Sequence, residues 1–86
     1  MNFPSRGTPG FWRLYRQLPP NVREAARKTC RLWLADALHL SLHFKKVGGG
    51  KWSIRIGIHF RALGRFEADG FVWDWIGTHA DYDRLL

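Results

Sequence analysis

The chain has 86 residues, which is enough for one domain core and too few for two. Lys and Arg total 14 against 7 Asp and Glu, a formal charge of +7, while 45% of residues are hydrophobic, including five Trp, six Phe and two Tyr. That balance excludes a disordered chain and favours a phosphate-rich or acidic partner; with no apolar run near the ~18 residues of a spanning helix and no signal-like stretch in MNFPSRGTPG, a cytoplasmic location without a membrane partner is expected.

Residues 1–10 contain Pro4, Gly7, Pro9 and Gly10 with little apolar periodicity, so they read as a flexible N-terminal arm ahead of a single domain over 11–86. From Phe11, the positions Phe11, Leu14, Tyr15 and Leu18 recur at helical spacing until Pro19 and Pro20 interrupt them. Asn21 with Glu24 three residues on resembles a capping pair. Val22, Ala25, Ala26, Thr29 and Trp33 then trace the apolar face of a longer helix ending near Ala35. Its opposite face carries Arg23, Arg27, Lys28 and Arg31, a solvated face or a docking surface for an acidic partner or RNA.

After Asp36 the period changes from 3.6 to 2. Leu42 to Val47 reads as a strand and Gly48, Gly49 and Gly50 as a hairpin turn. From Lys51 to Phe66 the alternation sends Trp52, Ile54, Ile56, Ile58, Phe60 and Ala62 one way and Ser53, Arg55, His59, Arg61 and Arg65 the other, with Gly57 a place where the run can bend or break. Glu67 to Gly70 supply a turn, FVWDWIG is a nearly all-apolar strand suited to the sheet centre, and ADYDRLL closes with a helical turn. The expected class is α+β, a helical hairpin on one face of a four-stranded, mainly antiparallel sheet.

Between Lys45 and Phe66 there is no Asp or Glu, so Arg55, His59, Arg61 and Arg65, joined by Lys45, Lys46 and Lys51, form a cationic face expected to bind phosphate. His79 and Tyr82 lie just past the last strand, where an imidazole is suited to proton transfer near neutrality. No cofactor, small-molecule ligand or metal is expected: His39 and His43 lack further donors at ligand spacing, and the lone Cys30 reads as a buried small apolar residue. Trp52, Trp73 and Trp75 read as core more readily than as stacking platforms for bases.

The stretch from Leu42 to Leu86 resembles toxins of the RelE/ParE superfamily, including RelE-, HigB- and YafQ-like members of type II toxin–antitoxin pairs. The resemblance rests on the Leu-x-x-Lys-like strand, Arg55-Ile-Gly57, Arg61, and Gly77-Thr78-His79 with Tyr82. It implies the RelE-like microbial RNase fold with a twisted sheet, and a growth-inhibiting, ribosome-dependent messenger RNA endonuclease silenced by an acidic antitoxin. Such enzymes work without a metal, the ribose 2′-hydroxyl attacking the adjacent phosphate. On that reading Arg61 and Arg55 hold the phosphate and His79 is general acid or base. Tyr82 orients the scissile nucleotide, Lys45 or Lys46 adds charge or acts as base, and His59 stands in reserve. Many relatives carry Arg where His79 stands, and the ParE branch acts on DNA gyrase without a nuclease site. A gyrase-directed toxin and an inactive RNA-binding relative are therefore the alternatives.

Overall fold

The computed structural model describes residues 5–85. Strand β1 (Ser5–Gly7) leads into helices α1 (Pro9–Arg16) and α2 (Pro20–Ala35) and a 3-10 turn, Leu40–Leu42. Strands β2 (Lys45–Gly48), β3 (Lys51–Ile56), β4 (Phe60–Glu67) and β5 (Gly70–Thr78) follow, and helix α3 (His79–Leu85) closes the chain. The α+β class with helices packed on a mixed sheet is as expected, but the sheet has five strands, in the order β1-β5-β4-β3-β2. The fifth comes from the segment read as an arm: Ser5, Arg6 and Gly7 pair in parallel with Phe71, Val72 and Trp73. Three residues are too short a run to show a period, and only β5 supplies their hydrogen-bonding partner. Thr8 then caps α1, its hydroxyl accepting from the Phe11 amide at 3.1 Å, with Pro9 in the first helical position. Residues 1–4 of the expected arm lie outside the described residues.

The helical hairpin forms where the periodicity puts it, with one correction. The Asn21 and Glu24 capping pair is not made: α2 begins at Pro20, whose fixed φ suits a first helical position, and no side chain caps it. Asn21 therefore sits inside the first turn. The strand expected from Leu42 starts only at Lys45. His39 Nδ1 accepts from the Ser41 amide at 3.2 Å and His43 takes a left-handed φ of 47°, so local hydrogen bonds curl this segment before it can extend. Leu42 is buried beneath that turn.

The turn Gly48–Gly50 takes φ values of 121°, 58° and 74°, and Gly57 at 59° breaks the long alternating run into a second hairpin. The helix-facing side of the sheet contributes Ile54, Ile56, Ala62, Phe71, Trp73 and Ile76 to one core with Phe11, Leu18, Val22 and Trp33. A bulge between Leu63 and Gly64 pairs them with Trp75 and Trp73, leaving Asp74 as the extra residue. Trp73 therefore packs on Trp33 with ring centroids 5.3 Å apart, while Trp75 turns to the other face, 6.5 Å from Tyr82. Trp52 is half-buried and stacked on Phe44 at 4.8 Å. Of the three tryptophans expected in the core, Trp75 is the exception, because the bulge reverses the facing of β5 between them.

Candidate nucleic-acid interface

The sheet face turned away from the helical hairpin divides into two ends of different chemistry. At one end the cations are compensated. Asp74 Oδ2 accepts from both Lys51 and Arg65, the latter at 2.8 Å. Glu67 accepts from Arg65 at 2.9 Å and from Arg6 at 3.2 Å. The hydrogen bond from Arg65 to Glu67, supported by the charges of Glu67 and Asp74, holds this guanidinium above its usual range. Lys51 and Arg65 lie in the cationic segment without an acid, but β5 delivers the missing carboxylate from 74. The expectation of an all-cationic face therefore does not hold at this end.

At the other end, Arg55 and Arg61 face each other across the β3–β4 hairpin, and Arg61 in turn pairs with Gly77. Arg61 is buried, only 8% exposed. Its Nη1 donates at 3.0 Å to the hydroxyl of Ser53, which is fully buried, and its guanidinium carbon lies 5.1 Å from the centre of the Tyr82 ring. Its Nε has no hydrogen-bond partner among the described residues. Arg55 donates from Nε to the Gly57 carbonyl at 2.8 Å, and its Nη1 lies 3.3 Å from His43 Nε2. Among the described residues neither guanidinium is paired with a carboxylate.

Helix α3 closes this end. The Thr78 hydroxyl accepts from the Asp81 amide at 3.1 Å, fixing the first turn, and the His79 amide donates to the His59 carbonyl at 2.7 Å. The exposed ring of His79 is 5.8 Å from that of Tyr82, and its Nε2 is 3.4 Å from Asp83 Oδ1, a contact that is an ion pair when the imidazole is protonated. His59 is exposed in the β3–β4 turn. Tyr82 is only 5% exposed, so its ring touches Arg61 and Trp75 more than solvent. Lys45 pairs with Ser53 and so shares the face of Arg61, whereas Lys46 pairs with Trp52 and shares the other face; both are exposed on the edge strand.

The fold thus brings Arg55, Arg61, His79, Tyr82 and His59 to one end, sets Lys45 beside them, and takes Lys51 and Arg65 into an ion-paired network. Sequence reading missed Ser53 and His43. Serine in an alternating strand carries no signal of a guanidinium beneath it, and His43 reaches Arg55 only because its left-handed backbone turns it there. Among the described residues no group of three or more His, Cys, Asp or Glu side chains is placed to hold a metal ion, and no helix is long and apolar enough to cross a membrane.

Residues 20–84 match the model of the ParE-like toxin domain. The chain belongs to the ParE-like toxin family. Among solved structures, the toxin's fold is shared with a chain of the toxin–antitoxin complex RelBE2 from Mycobacterium tuberculosis, at 20% identity and a TM-score of 0.74 over 92% of this chain and 100% of that one. A chain of the RelB–RelE antitoxin–toxin complex from Methanococcus jannaschii is 18% identical with a TM-score of 0.71, covering 93% and 98%. YafQ from E. coli is 9% identical with a TM-score of 0.73, covering 94% and 98%. A comparison with curated protein sequences finds no match. The superfamily implied by the sequence motifs is therefore the correct one.

Proposed function

We propose that this toxin is an endoribonuclease acting on messenger RNA at the ribosome, with the scissile phosphate seated on Arg61. The observation that carries the reading is Arg61 itself: a buried guanidinium without a carboxylate partner, with an unsatisfied Nε, held between Ser53 and the ring of Tyr82. Burying a charge unpaired is costly, and an incoming phosphate would compensate it. Arg55, opposite, would share the developing charge of the pentacoordinate phosphorus. The 2′-oxygen forms a bond to phosphorus as the bond to the 5′-oxygen breaks, leaving a 2′,3′-cyclic phosphate. A base takes the 2′-hydroxyl proton and an acid delivers one to the leaving oxygen. His79 has an exposed imidazole 5.8 Å from the Tyr82 ring and is the candidate for the acid. Lys45, on the same face, is a candidate for the base, with His59 in reserve.

The partner of the silenced state is an acidic antitoxin, as the complexed neighbours suggest. The surface suits one: a groove of about 410 Å³ between the helices and the sheet is lined by apolar side chains such as Phe11, Trp12, Ile54 and Trp73, with Arg6 and Arg27 among them. An amphipathic acidic segment would match both features.

The ParE-like family match favours one second reading, a toxin directed at DNA gyrase with no nuclease chemistry. Transcript ends and DNA breaks mapped shortly after induced expression separate the two. New 5′ ends inside translated frames, lost in Arg61→Ala and His79→Ala and retained with chelator, support the ribonuclease. Intact messages with gyrase-trapped breaks support the second.

A further inference from the structure

We propose that a cleft beside Arg55 receives the base of the nucleotide neighbouring the one held at Arg61, with the intervening backbone phosphate between Lys28 and Arg55; the proposal rests on the ribonuclease reading above. The cleft, about 430 Å³, lies where α2, the 3-10 turn and the β3–β4 turn meet. Strand β2 pairs with β3 only as far as Ser53, so beyond it the sheet edge stands open against α2. The lining is mixed, with Thr29 and Ser41 among it, and its apolar side chains come from opposite sides: Leu32 from α2 and Ile58 from the tip of the hairpin, with buried Leu42 between the elements. Two cations, Lys28 and Arg55, also line it.

Three features favour a nucleotide there. Ile58, 71% exposed at a turn tip, brings accessible apolar surface to the mouth of the cleft. Aliphatic side chains on opposite sides can contact the two faces of a base, and the cations suit its phosphate. Neither cation is firmly committed: Lys28 is 3.7 Å from Glu24 with both side chains largely exposed, a pair of little strength, and Arg55 has only a carbonyl and an imidazole. Finally, Arg55 lines the cleft and also pairs directly with Arg61, so the two positions lie about 5 Å apart at Cα, within reach of one RNA backbone. The cleft is thus placed to read a base next to the cut.

The test uses the purified full chain and a fluorescent RNA decamer with every 2′-hydroxyl methylated, which cannot be cleaved. Ile58→Ser and Lys28→Ser alter exposed side chains and leave the core intact. The double variant should bind about five- to tenfold more weakly, and Lys28→Ser alone should make log K against log salt shallower by about 0.7. Removing the base at one position of the decamer should weaken binding to the parent but not to Ile58→Ser. If Arg61→Ala weakens binding while the cleft variants bind like the parent, the cleft serves another ligand, a protein segment included, and the proposal fails with the ribonuclease reading intact. If the parent does not bind the decamer at all, the cleft proposal fails, and the transcript ends mapped after induced expression decide the ribonuclease reading separately.

Discussion

Arg61 shows how the contacts that hold a buried cation in place can also set the site proposed for it. Its guanidinium is tolerated in a buried place because Ser53 takes one N–H and the Tyr82 ring lies within cation–π distance. Ser53→Ala should leave that N–H unpaired, lowering stability by about 1–3 kcal/mol in denaturant titration and reducing growth inhibition at equal expression. Tyr82 is buried against Arg61, so its ring should matter more than its hydroxyl. Tyr82→Phe should keep toxicity and Tyr82→Leu should lose it; the opposite result for Phe would assign the hydroxyl a direct role on RNA. Cys30 is half-buried, and burial, opposed by Arg31, pushes its thiol up. The folded chain therefore holds less thiolate at a given pH than the unfolded one. Alkylation with iodoacetamide should be slower in the native protein than in denaturant near neutrality, with the gap closing as pH rises through the folded thiol's range.

Among the elements, the β4–β5 ladder determines where the charges go. The bulge at Leu63 and Gly64 inserts Asp74 into β5, and Asp74 then gathers Lys51 and Arg65. The same bulge lets Trp73 enter the core while Trp75 flanks Tyr82. Gly64 permits the close approach: a Cβ there would collide with the Phe71 ring and lie 2.6 Å from the Val72 carbonyl oxygen. Gly64→Ala should cost about 1–3 kcal/mol by overpacking, read as a drop in Tm of roughly 4–8 °C for each kcal/mol. The hairpin of α1 and α2 is fastened by part of the basic face of α2: Arg23 donates to the Leu18 carbonyl at 2.6 Å and Arg27 to the Tyr15 hydroxyl at 2.8 Å. Those two cations have structural work whatever partner approaches.

Over the whole molecule, a formal charge of +7 does not spread evenly. The sheet face keeps an internally paired end at Arg6, Lys51, Arg65, Glu67 and Asp74 and an end without carboxylate pairing at Arg55 and Arg61. On the proposed ribonuclease reading, the RNA meets the end without carboxylate pairing, while the ion pairs at the other link strands of the sheet. Asp74→Asn should release cations: RNA binding should become more salt-dependent, log K against log salt steepening by about 0.7 for each cation that then meets a phosphate. An unchanged slope would mean that the RNA does not extend over that end.

The sequence by itself determined the α+β class, the two-helix start, the glycine turns and the superfamily, because helical and strand periods and short motifs are local properties. It also singled out Arg55, Arg61, His79 and Tyr82, since motif and charge pattern coincide on them. What it did not reveal were relations between segments distant along the chain: the parallel strand Ser5–Gly7 beside β5, the carboxylate of Asp74 beneath Lys51 and Arg65, and Ser53 under Arg61. No alternation pattern records which charge meets which carboxylate. Only strand pairing and one bulge decided which cations were neutralised within the chain and which were left without a carboxylate, because compensation depends on distance in space.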